Sequence, residues 1–131
     1  MSKPGPVIAL LLLLPAGAAA SPSGLSGVWG GDDMVATFSK VGARLEAGCA
    51  QGEISGPVRL NKSGRFAQGG VFQVFHGGPQ RADEDAAAPN ARFAGQVRSG
   101  ILELDIVVQD DPTPRHYVLR RGVRPKLVRC L

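Results

Sequence analysis

From Leu25 onward the apolar residues come in short runs that recur about every ten positions, each fenced by Gly, Pro, Asn, Asp or Ser. The clearest run is 101–109, where Leu102, Leu104, Ile106 and Val108 fall on one side and Glu103 and Asp105 on the other. A period of two places one face of a strand in a core and the other in water. Residues 43–49 repeat it, with Ala43, Leu45, Ala47 and Cys49 on one face and Arg44, Glu46 and Gly48 on the opposite one. The same reading predicts strands at 25–29, 34–39, 56–60, 65–76, 91–98, 116–121 and 126–130, and no segment has a helical period. Turn chemistry agrees: Ser99-Gly100 joins two strands in two residues, and Asn61-Lys62-Ser63-Gly64 ends on a glycine where a positive φ is usual. Gly69-Gly70 is expected to let its long strand bulge or bend sharply. Short strands in antiparallel succession predict an all-β fold, a small up-and-down β-barrel of about eight strands, in which closure removes exposed edges.

The first twenty residues break this pattern. Lys3, an apolar run from Val7 to Leu14, Pro15 and then Ala18-Ala19-Ala20 have the layout of a signal peptide with a small-residue cleavage site. The run is too short to span a bilayer. The expectation is therefore a signal peptide over 1–20, cleavage near Ala20/Ser21, one barrel domain over 21–131 and no membrane span afterwards. Loss of Lys3 takes the basic count from 15 to 14 against 11 acidic residues, a mature net charge of +3. The Ala, Gly and Arg bias points to a bacterial source, with the periplasm or the medium as destination.

Two cysteines, Cys49 and Cys130, complete the chain's sulfur chemistry. An even pair in an exported chain predicts a disulfide. The loop it closes is long, which on the chain-entropy account stabilises the fold by roughly 4 to 5 kcal/mol.

The run Gly24-Leu25-Ser26-Gly27-Val28-Trp29 resembles the opening strand of the calycin superfamily: lipocalins, avidins and the small lipocalin-like protease inhibitors. The resemblance implies that Gly27 and Trp29 form a barrel floor, with Arg120 or Arg121 over the indole. Departures are visible too. The chain is shorter than a lipocalin, lacks the mid-chain lipocalin motif, and with Trp29 as its sole tryptophan lacks the aromatic box of avidins. The inhibitors' single disulfide closes a shorter loop than Cys49 and Cys130 would.

Candidate chemistry is sparse. No G-x-S-x-G is present, no cysteine is left over from the predicted disulfide, and His76 and His116 sit in no recognised arrangement. His76, His116 and Asp83-Glu84-Asp85 match no metal-ligand spacing, and Asp32-Asp33 and Asp110-Asp111 read as turns rather than calcium loops. No cofactor and no metal is called for. After Asp111 come Arg115, Arg120, Arg121, Arg124, Lys126 and Arg129 without an acid. That run suits an anion or an edge-strand guard, and lacks the interleaved aromatics of nucleic-acid binders. The long connection carrying His76, Gly77, Gly78, Asp83, Glu84 and Asp85 is the candidate ligand or partner loop. These features predict a non-enzymatic exported β-barrel binding module, taking a small apolar ligand inside or a protein partner through its loops. The alternatives are a protease inhibitor presenting the arm Ser21 to Leu25 or the loop 77–90, and a small hydrolase with a His-based site.

Overall fold

In the computed structural model, which describes residues 4–5, 24–75, 87–128 and 130, eight strands form and no helix does among the described residues. They are β1 (Gly27–Gly31), β2 (Met34–Ser39), β3 (Gly42–Ala47), β4 (Ala50–Ser55), β5 (Arg65–Val74), β6 (Asn90–Arg98), β7 (Ile101–Val108) and β8 (Arg115–Arg121). Each pairs antiparallel with its successor, and β8 returns to β1 to close the barrel. The fold is thus the all-β, eight-stranded up-and-down barrel that the alternation predicts, in the general form the calycin resemblance implies. The leader at 1–20, its cleavage site and the loop residues His76, Gly77, Gly78, Asp83, Glu84 and Asp85 lie outside the described residues, apart from Pro4 and Gly5.

Two hairpins show why the register is fixed. Ser99 and Gly100 have φ of 49° and 75°, and Asp32 and Asp33 have 50° and 60°. Positive φ at both central residues gives the tight turn whose twist matches that of the flanking strands, and aspartate tolerates it better than most side chains do. With the turns set, Leu102, Leu104 and Ile106 point inward, fully buried, while Glu103 and Asp105 face out. Each such side chain contributes about 1.5–3 kcal/mol by leaving water.

The inside is filled by pairing rings with glycines. Phe72 lies opposite Gly52, and Phe66 opposite Gly95. A methyl on Gly52 would come within 2.8 Å of the Phe72 ring, one on Gly70 within 2.9 Å of the Phe93 ring, and one on Gly95 would collide with Phe66. Phe72 and Phe93 then meet edge to face at 6.4 Å between ring centres. An eight-stranded barrel is just wide enough for its own side chains, and here large residues use the room that small ones leave.

Alternating strand directions put the turns after β2, β4 and β6, the start of β1 and the end of β8 at one end, the entry end. The turns after β1, β3, β5 and β7 form the far end. Leu25 and Val58 close the entry end from below: Leu25 N–H donates to the Val58 carbonyl at 2.7 Å, and both side chains are buried.

Several expectations need correction. Residues 50–55 form a strand that the sequence does not announce, because its inward positions are Ala50 and Gly52 before Ile54. Residues 56–60 are not a strand; they make a single bridge, Gly24 to Arg59, and Pro57 has no N–H to give. Of the strand expected at 126–130, the described residues 126–128 and 130 are not strand either but part of a tail strapped to the outside. Cys49 does not point into the core: β3 stops at Ala47, and Cys49 is half-buried in the turn that follows. The Cys49–Cys130 disulfide forms, on the outside of the far end. Gly69-Gly70 carries no bulge, since the pairings of β5 with β4 and β6 run without an inserted residue. The strand predicted at 25–29 begins at Gly27, since Leu25 turns in as a plug.

Candidate functional site

The inward face of β8 reads Arg115, Tyr117, Leu119, Arg121. Leu119 is fully buried, Tyr117 packs against the core, and an arginine stands at each end. Arg121 lies with its guanidinium carbon 4.9 Å from the centre of the Trp29 ring. Register explains the choice between two adjacent arginines: Arg121 is opposite Trp29, whereas Arg120 is opposite Gly30 and faces outward. The indole N–H donates to the Ser26 carbonyl at 3.1 Å, and Gly27, at φ 87°, turns the chain from that carbonyl into β1. At the far end Arg115 stands 5.9 Å over the Phe72 ring, and its terminal nitrogen lies 3.7 Å from Asp111 Oδ2. Its Nε is buried without a hydrogen-bond partner. Sequence reasoning misses Arg115 as an inward group because its charge argues for water; the signal that finds it is the alternation, stepped back from Leu119 through Tyr117.

The two aspartates of the first turn serve the closure of the barrel. The β1–β8 seam holds only two residue pairs, Trp29 with Arg121 and Gly30 with Arg120. Beyond them Asp32 Oδ2 accepts from Val118 N–H at 2.7 Å, taking the place of a strand carbonyl. Asp33 Oδ1 accepts from Val128 N–H at 3.2 Å and so holds the C-terminal tail. Their partners lie 86 and 95 residues away, which no local pattern reveals. The tail crosses the outside of β1 at Gly30, where any side chain would strike Val123 and Pro125. It ends with Cys130 N–H donating to the Gly48 carbonyl at 3.1 Å and with the disulfide to Cys49.

This strap walls one side of a groove of about 590 Å³ over the outer face of β2, β3 and β4. Arg124 stands on the strap side, and Val35, Thr37, Arg44, Glu46 and Glu53 are among the floor residues. Arg44 and Glu53 are direct partners on the neighbouring strands β3 and β4, at 3.9 Å. The groove thus offers both signs of charge, hydroxyls and an aliphatic side chain. Its floor is polar because β3 and β4 turn Arg44, Glu46 and Glu53 outward.

His116 and Asp105 are cross-strand partners on the outside, with Nδ1 and Oδ1 at 2.7 Å. The hydrogen bond to Asp105 is the main cause that holds the His116 pKa above the ordinary imidazole value, opposed by desolvation and aided by the charges of Asp105, Glu103 and Asp32. Because the folded value is the higher one, the pair adds stability at pH below the unfolded-chain value. That contribution vanishes as pH rises through the folded value. Both side chains are about half exposed, at 52% and 54%, so the effect on stability is small. An NMR titration of His116 is expected to give a midpoint above that of an unstructured peptide, and Asp105→Asn to bring it back; an unchanged midpoint in the variant would remove Asp105 as the cause.

Asp110, at φ 65°, and Asp111 form the turn after β7, where Asp111 Oδ1 accepts from Thr113 N–H at 3.1 Å. Among the described residues no three His, Cys, Asp or Glu side chains converge as metal ligands would, and no helix is long and apolar enough to cross a membrane. No family model matches the chain, and neither a curated protein nor a solved structure does.

Proposed function

We propose that this chain is an exported, non-enzymatic, calycin-like binding protein that recognises a protein partner on its outer surface, in the groove between the C-terminal strap and strands β2–β4. The observation that carries this reading is the filled interior. Trp29, Phe72, Phe93, Met34 and Leu45 leave under 2% of their surface exposed, with rings occupying the space over inward glycines. An apolar ligand entering the barrel would have to displace side chains already packed there, which costs about as much as a cavity-forming substitution. The groove needs no such displacement. Its mixed charges and hydroxyls suit a polypeptide segment, whose main chain needs donors and acceptors alike. The disulfide, exposed at Cys130, is consistent with an oxidising compartment.

A photo-crosslinking residue placed at Thr37, in the groove, is expected to capture a partner from the exported fraction, and the same residue at Ala94, outward on β6, is not. Trimming Ser21 to Gly24 is expected to leave that adduct intact; loss of binding on trimming would favour the inhibitor reading instead. Saturable one-to-one binding of a fatty acid or aromatic dye that alters Trp29 emission would return the ligand to the barrel interior. Turnover abolished by His116→Ala would make the protein an enzyme.

A further inference from the structure

The two ends of the barrel differ in charge. Lys40 projects from the turn after β2, Arg59 and Lys62 from the connection after β4, and Arg65 from the start of β5. Arg98 stands at the end of β6, Arg120 and Arg121 at the end of β8, and Arg124 just beyond. All eight are exposed. No Asp or Glu occurs in the segments that build this end: 24–27, 39–42, 55–65, 98–101 and 120–126. The acidic turns, Asp32-Asp33 and Asp110-Asp111, are both at the far end. The ion pairs among the described residues, Arg44–Glu53, Arg115–Asp111 and His116–Asp105, include none of the eight.

These bases come from every connection around the circumference at that end, so they describe a ring rather than a stripe. A ring of like charge around one end of the barrel complements a plane of opposite charge, whereas a linear polyanion follows a stripe. The turn that carries Lys40 also carries Val41, which is 82% exposed and among the few large apolar side chains left in water. An apolar tip in a basic ring is the arrangement that a headgroup layer accommodates, with the charges at the phosphates and the tip just beneath. The outward residues of the strands include Arg44, Glu53, Arg92, Glu103 and Asp105, so the wall is no lipid-facing band and the barrel would stand on the surface without crossing it.

We infer that the entry end of the barrel is a docking surface for an anionic phospholipid bilayer, met end-on, with the ring of bases at the headgroups and Val41 at the interface. Each base near such a surface raises the partition coefficient about fivefold.

The test is co-sedimentation of the full mature chain with vesicles of phosphatidylglycerol and phosphatidylcholine, beside vesicles of phosphatidylcholine alone. Binding is expected only to the acidic vesicles and is expected to be lost on raising the salt to about 0.5 M. The triple variant Lys40→Ser, Lys62→Ser, Arg98→Ser is expected to partition roughly a hundredfold less, with an unchanged melting curve to show that it folds. Arg92→Ser, at the far end, is expected to bind as the parent does. The emission of a Val41→Trp variant is expected to shift to the blue on acidic vesicles. Equal binding to neutral vesicles, undiminished binding by the triple variant, an unshifted spectrum from the Val41→Trp variant, or capture of soluble polyphosphate with the vesicles left unbound would each overturn the inference.

Discussion

Replacing Cys49 and Cys130 with alanine is expected to lower the unfolding free energy by about 4.5 kcal/mol, the loop-closure entropy that an 81-residue separation confers on the unfolded chain. The effect should be large because the bond encloses five of the eight strands, β4 to β8, and because the seam it reinforces is only two residue pairs wide. In the variant the tail keeps its hydrogen bonds to Asp33 and Gly48, so the native contacts are spared and the change falls on the unfolded state. For a domain this size the melting temperature is expected to fall by about 20 °C, and the urea m-value to rise as the freed chain expands. A loss below about 1 kcal/mol, no more than one hydrogen bond, would mean that the strap frays so readily that the bond constrains little.

Trp29→Ala should rival that effect. The indole is fully buried, its N–H is bonded to Ser26, and Arg121 covers its face. Emptying such a site costs about 3–5 kcal/mol, and loss of the stacked guanidinium removes about 0.5–1 more. That total approaches the low end of the stability of a small domain, about 5–15 kcal/mol, so the variant is expected to be largely unfolded at growth temperature. Arg121→Ala alone should cost little, and adding it to Trp29→Ala should cost almost nothing further, because its partner is already gone. Equal costs for Arg121→Ala in both backgrounds would show that the arginine acts elsewhere.

Much of this architecture is legible in residue order. β7 is read from four apolar residues on alternate positions, the Ser99-Gly100 hairpin from its turn chemistry, and the sulfur pairing from two cysteines behind a segment that reads as an export leader. Strand β4 escapes notice for a physical reason: an inward glycine has no side chain to mark the core face, and Gly52 is small so that Phe72 can be large. Residues 56–60 mislead because Val58 and Leu60 are apolar for plugging an end, not for lining a sheet. Residues 126–130 mislead because the hydrogen bonds of the tail go to the Asp33 side chain and the Gly48 carbonyl rather than to a strand. Of the site, Trp29 and an arginine over it can be foreseen, but only the register selects Arg121 rather than Arg120. The groove cannot, since it depends on where a tail of irregular backbone lies. The basic run near the C-terminus is visible, but its ring form is not: Lys40, Arg59 and Lys62 are far from it in sequence and meet it only when the strands alternate direction.

Cys49 precedes Cys130 by 81 positions. A chain made, and on our proposal threaded across a membrane, amino end first must carry Cys49 as a lone thiol until Cys130 arrives. No other cysteine lies between them, so the molecule has no way to pair wrongly with itself; its hazard is a neighbour caught at the same stage. Oxidation within one molecule therefore waits until strands β4 to β8, which lie between the two cysteines, have all been made.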